Sequence, residues 1–158
     1  MQPVKEISKA KMQRQLWMLG VFKIPMLAFC KPKLISISEK EVTIGIRLRR
    51  RTKNHLGSMY FGALSVGADV SGGILAFYFA ERYGLKISFA FKSFEAQFHK
   101  RAESDIQFYC SEGQKIKALV EKAKALGERQ NEKVEILAKD KSGTIVASFV
   151  LELSVKVK

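Results

Sequence analysis

The stretch from Phe61 to Tyr83 reads as a helix that is apolar nearly all the way round. A surface helix carries a polar stripe, so this one must be enclosed by the rest of the chain. It also contains Gly62, Gly67, Gly72 and Gly73, and each interior glycine costs about 1 kcal/mol relative to alanine. Their recurrence implies that backbone or a ligand approaches the helix closely. Within its first half stands one carboxylate, Asp69. An ionised acid in apolar surroundings is strongly disfavoured unless it is paired or hydrogen-bonded, so Asp69 belongs either to a subunit seam or to a working site.

Strands are the available cover. Ile35 and Ile37, then Val42, Ile44, Ile46 and Leu48, alternate with polar or small residues, and a tight turn at Glu39-Lys40 joins the two runs. After Gly84, Leu85, Ile87, Phe89 and Phe91 fall on odd positions, whereas Phe94, Ala96 and Phe98 fall on even ones. The inward face therefore changes phase near Ser93, which predicts a β-bulge there. Ile106, Phe108 and Cys110 form a further strand, and Ile116, Leu119, Val120, Ala123 and Leu126 mark an amphipathic helix with lysines outside. Val134 to Ala138 and Ile145 to Val157 make a hairpin across Asp140-Lys141-Ser142-Gly143.

At the N-terminus, residues 5–21 read as a helix packing through Leu16, Trp17 and Leu19 and ending near Gly20 and Pro25. The run Leu16 to Cys30 is mostly apolar, but Lys23 and Pro25 interrupt it. It falls short of the ~20 residues of a spanning helix and has no small-residue cleavage site, so neither a stable membrane span nor a signal peptide is expected.

The chain has 158 residues, 47% of them hydrophobic. That is enough for one substantial core and suits one domain over 1–158. A net charge of +13 favours anionic partners: nucleic acid, an acidic membrane surface or a ligand with several phosphates. Nucleic acid is disfavoured, because the aromatics sit at inward strand positions rather than among the basic residues. Cys30 and Cys110 show no CxxC spacing, so no disulfide framework is indicated and a reducing, cytoplasmic setting is the simplest reading. His55 and His99 lack a nearby cysteine or acid, and no metal site is expected.

One long apolar helix wrapped by an antiparallel sheet of about six strands solves the burial problem of this pattern. That α+β arrangement is the hotdog fold. The spacing Asn54, Gly57, Ser58, Gly62, Asp69 resembles the motif of the hotdog acyl-CoA thioesterases of the phenylacetate-pathway and 4-hydroxybenzoyl-CoA type. The wording Asn-His-Leu-Gly-Ser followed by Phe-Gly is similar to a less characterised thioesterase-like branch of that superfamily. The resemblance implies a site in which Asp69 is the nucleophile or general base, Asn54 orients water or the thioester carbonyl, and Gly62 at a helix N-terminus receives the oxyanion. It also implies a homodimer, or a dimer of dimers, in which Asp69 of one subunit faces the helix N-terminus of the other. Many thioesterases of this type carry histidine and two glycines where this chain has Tyr60-Phe61-Gly62, so the nearest histidine is His55, a proton carrier or a solvated loop residue.

No cofactor is implied beyond coenzyme A as part of the substrate. Its phosphates would meet Arg49, Arg50, Arg51, Lys53, Lys100 and Arg101, while Lys115, Lys117, Lys122 and Lys124 read as a solvated helix face. Gly72 and Gly73 would leave space beside Asp69 for an acyl chain. Alternatively, Asp69 is a structural acid, hydrogen-bonded to Ser65 or Ser58 or paired with a basic residue across a dimer. The chain would then be a non-catalytic hotdog protein that binds acyl thioesters or fatty acyl chains.

Overall fold

A computed structural model describes residues 4–158. Ser8 accepts a hydrogen bond from the Lys11 N–H and starts the first helix, α1 (Lys9–Phe22). Pro25 then opens a second helix, α2 (Pro25–Cys30), where its missing N–H costs nothing. The two helices cross tightly: a Cβ at Gly20 would lie 2.9 Å from the backbone nitrogen of Ala28. Periodicity did not reveal α2, and α1 begins later than residue 5. Leu16 packs inward as expected, but Trp17 is 60% exposed, because the buried stripe of α1 runs through Met12, Leu16 and Gly20.

The strands β1 (Lys33–Ile37) and β2 (Val42–Ile46) follow, with Ser38 closing the turn between them. The basic run forms a 3-10 turn at Arg50–Thr52 and leads into the long helix α3 (Phe61–Tyr83). Gly84, in the left-handed region at φ 62°, ends α3. Then come β3 (Ile87–Phe98), β4 (Ile106–Cys110), α4 (Gly113–Leu126), β5 (Gln130–Lys139) and β6 (Ile145–Val157).

All strands pair antiparallel in one six-stranded sheet of order β1-β2-β4-β5-β6-β3. The sheet curls around α3, which packs across β2, β4, β5 and β6, with α4 and α2 on its remaining sides. This is the hotdog fold. The register of β3 against β6 slips between Phe91 and Ser93, where the change of phase places the bulge.

Two expectations about what fills the core change. The glycines of α3 make room largely for side chains of the sheet: Gly67 lies under Phe108, Gly72 under Phe91 and Ile136, and Gly73 under Phe89, with Gly73 alone of the three also bordering open space. Phe94 and Phe98 share a face with buried Phe149, against which both rings pack, yet each stays about half exposed. Their strand is one of the two edges of the sheet, with β6 as its one strand neighbour.

Candidate active site

Only part of α3 is left uncovered. Phe61, Gly62, Ser65, Val66 and Asp69 are exposed or half-buried, whereas the residues between them are mostly buried. Gly62, Val66 and Asp69 fall at helical spacing, so they form one open stripe over the first half of α3. Gly62 and Asp69 stand ~10 Å apart along the axis, too far for both to act on one atom of the same substrate.

Asp69 has no hydrogen-bond or ion-pair partner among the described residues. Ser65 donates to the Phe61 carbonyl, and Ser58 is engaged with Asn54. Neither serine, therefore, supports the acid. Burial without compensation pushes the Asp69 carboxyl up to about 6.

The carboxylate lies at the margin of a cavity of about 640 Å³ between α1, α2, the second half of α3 and the start of β3. Leu16, Leu19, Leu27, Ile74, Phe77 and Phe89 give it apolar walls. Glu81 also lines it, but Lys11 pairs with Glu81 at 2.5 Å and that hydrogen bond holds its carboxyl below the usual range. Asp69 is thus the uncompensated acid of the cavity. Space beside Asp69 was expected at Gly72 and Gly73, and Gly73 does line the cavity; the contribution of α1 and α2 to its outer wall was not foreseen, because those helices reach it from a distant part of the sequence.

The approach to α3 is shaped by Asn54. Its Oδ1 accepts from the N–H of Leu56 at 2.9 Å and of Ser58 at 3.2 Å, and its Nδ2 donates to Ser58 Oγ at 3.0 Å. Asn54 is a loop-closing residue here, and the structure does not aim it at Asp69. His55 sits exposed at the tip of the same loop. Tyr60 precedes α3 and supplies no side-chain cap, while its carbonyl accepts from the N–H groups of Ala63 at 2.9 Å and Leu64 at 3.1 Å. The N–H groups of Phe61 and Gly62 have no acceptor among the described residues and face outward from the helix start.

The basic residues divide. Arg49 and Arg51 line a second pocket of about 380 Å³, together with Lys31, Lys33 and Arg47. It opens on the face of β1, β2 and β4 turned away from α3, where Lys33 pairs with Gly45 and Gly45 with Gln107. Arg51 is steadied by the Phe29 ring, 5.0 Å away, and by the Phe29 carbonyl. The one carboxylate there, Asp105, accepts from the Leu48 N–H. Arg50 and Lys53 are exposed beside this pocket without lining it, Lys100 pairs with Asp140 at 3.4 Å, and Arg101 is exposed. Lys31 and Lys33 were not foreseen, since they reach the pocket from a distant part of the chain.

A family model described as a domain of unknown function, DUF4442, matches residues 13–155. The chain belongs to the DUF4442 family. No curated protein matches it by sequence. Among solved structures, this DUF4442 chain resembles a Pseudomonas aeruginosa protein described as of unknown function, "Probable Thioesterase", at TM-score 0.73 and 21% identity over 92% of this chain and 95% of that one. It resembles a thioesterase from Haemophilus influenzae at TM-score 0.68 and 10% identity, covering 99% of this chain and 96% of that one. A protein of unknown function from Chlorobaculum tepidum superposes at TM-score 0.83 and 9% identity, covering 96% and 98%. At such identities the likeness establishes the fold.

Proposed function

We propose that this DUF4442 protein is an acyl-CoA thioesterase acting on fatty acyl chains, with Asp69 as its catalytic carboxylate. One observation carries the reading. Asp69 is an unpartnered, half-buried acid with its carboxyl raised to about 6, placed where an apolar cavity meets the open stripe of α3. A folded protein retains such a group at a cost, and active sites are where that cost recurs. The thioesterase neighbours support the same chemistry.

In the proposed reaction Asp69 takes a proton from water while the oxygen adds to the thioester carbonyl. The tetrahedral oxyanion is received by the N–H of Gly62, with that of Phe61 beside it, at the start of α3. Collapse breaks the C–S bond, and coenzyme A leaves as its thiol on taking up the proton. Because Gly62 and Asp69 of one chain are too far apart, the N–H groups come from a second copy. Direct attack by the Asp69 carboxylate, through an anhydride, uses the same atoms.

The free edge β3 supplies a way to bring two copies together. It is 12 residues long and lacks proline, and Phe94 and Phe98 remain exposed beside it. Such an edge favours pairing with another strand. Antiparallel pairing of β3 with its copy would set the open stripes of the two α3 helices side by side. Light scattering should give about twice the chain mass of 17.8 kDa, and Phe94→Lys with Phe98→Lys should give the monomer. A wild-type monomer at assay concentration would remove the two-copy site.

The pocket of Lys31, Lys33, Arg47, Arg49 and Arg51 is the proposed seat of the coenzyme A phosphates. A cytoplasmic setting fits the free, buried thiols Cys30 and Cys110. Release of free thiol from acyl-CoAs of increasing chain length tests the reading. Each methylene entering the cavity should raise kcat/KM about fourfold, from ~0.8 kcal/mol per buried CH₂, until the cavity is full. Acyl-pantetheine, which lacks the nucleotide, should show KM raised about tenfold, and Arg49→Ala with Arg51→Ala should reproduce this with acyl-CoA. The departure Tyr60-Phe61 and the engagement of Asn54 favour a second reading, a carrier of acyl chains. Tight acyl-CoA binding without turnover of any chain length would decide for it.

A further inference from the structure

The last two turns of α1 and the whole of α2 turn large apolar side chains to solvent. Trp17, Met18, Val21, Phe22, Met26 and Phe29 are exposed together, Phe22 by 71%. Their helices reach the core through other residues, Met12, Leu16, Gly20, Leu27 and Cys30. Apart from Phe29, whose ring steadies Arg51, the exposed face is not what anchors these helices to the core, and an apolar patch of this kind marks an interaction surface.

Charge narrows the partner. From Ile7 to Ser38 there is no aspartate or glutamate, while Lys9, Lys11, Arg14, Lys23, Lys31 and Lys33 lie within the same stretch. Arg14, Lys23 and Lys31 are exposed around the patch and make no ion pair among the described residues. An apolar helical face rimmed by cations suits a bilayer carrying anionic headgroups: the side chains enter the acyl boundary and the cations meet phosphates. A second copy fits poorly. Two-fold contact would set this acid-free rim against itself.

The patch also surrounds an opening. Met18, Phe22, Lys23 and Ile24 are exposed and line the large cavity at the same time. We infer that the α1–α2 surface docks the protein on an anionic lipid membrane, with the cavity mouth facing the acyl chains of the bilayer. Docking stands on the surface alone and does not need turnover at Asp69, so the two can fail separately. If both hold, an acyl chain reaches the cavity from the membrane without crossing water.

Trp17 is the sole tryptophan of the chain and lies in the patch, which gives an internal probe. The full chain is mixed with phosphatidylcholine vesicles, with or without phosphatidylglycerol. Flotation should be about tenfold greater or more on the anionic vesicles, should weaken with added salt, and should shift Trp17 emission to the blue. Val21→Asp with Met26→Asp changes two exposed residues outside the cavity lining and should abolish flotation with circular dichroism and thermal unfolding unchanged. Absence of flotation on either vesicle, or flotation with unshifted Trp17 emission, would overturn the proposal. Equal flotation on both vesicles would overturn the role of anionic headgroups. Loss of a subunit in the double variant would assign the patch to a second copy instead.

Discussion

Asp69→Asn should make the protein more stable at neutral pH while removing its activity. Well below the ordinary carboxylate value of 3.8, Asp69 is protonated in both the folded and the unfolded chain, and the group contributes no difference. As pH rises through the ordinary carboxylate value of 3.8 the unfolded chain releases its proton first, because burial holds the folded carboxyl near 6. Stability is lost across that window, and the loss is complete once the folded group has ionised. A raised carboxyl thus destabilises at high pH, the reverse of an acid in a salt bridge. The displacement corresponds to about 2–3 kcal/mol. Asparagine does not titrate, so the variant should match the wild type at about pH 3.5 and exceed it by roughly that amount at about pH 8 in urea unfolding. Thiol release should fall at least about a hundredfold, and the wild-type rate should rise with pH through about 6 as the base ionises. A variant that unfolds more easily at every pH and keeps its turnover would make Asp69 a structural acid.

Gly67→Ala should cost the fold about 1–2 kcal/mol net, although alanine is the better helix former. The added methyl would overlap the ring of Phe108, with Cε2 and Cζ as its nearest atoms. Phe108 is fully buried on β4 and pairs in register with Ile44 and Ala138 on the flanking strands. The ring has nowhere to turn, so α3 must lift off the sheet. Overpacking of this kind typically costs ~1–3 kcal/mol or more, set against about 1 kcal/mol gained in helix propensity. Gly62→Ala is the control: its methyl meets the Tyr60 ring, which is exposed and free to swing into solvent. The midpoint of urea unfolding should drop for Gly67→Ala and stay near the wild type for Gly62→Ala. Equal midpoints would mean that the helix and sheet are looser here than the contact implies.

What could be read from sequence was whatever a local pattern determines. The bounds of α3 follow from a run with no polar side, and the bulge near Ser93 from two phenylalanine series of opposite parity. Where a side chain ends up also depends on what faces it. Trp17 carries the most apolar surface of its helix, yet the crossing at Gly20 turns the Met12–Leu16 stripe inward and leaves the indole outside. Asn54 illustrates the same limit at the site: spacing placed it near the start of α3, but only three-dimensional geometry shows that its amide is spent on Leu56 and Ser58. Lys31 and Lys33 join Arg49 and Arg51 because α2 folds back beside the 3-10 turn. Asp69 was conspicuous from the outset, since a charge in an apolar helix is anomalous whatever surrounds it.

The order of elements has a consequence for how the chain is made. Of the strands that sheathe α3, only β1 and β2 precede it, and β3 cannot enter the sheet until β6, the last strand, is complete. While β3 to β6 are being made, the nascent chain therefore carries a 23-residue segment long and apolar enough to cross a membrane, with most of the sheet that covers it still incomplete. The low dielectric that raises the Asp69 carboxyl comes from the same residues that expose the nascent chain to chaperones and to the membrane insertion machinery.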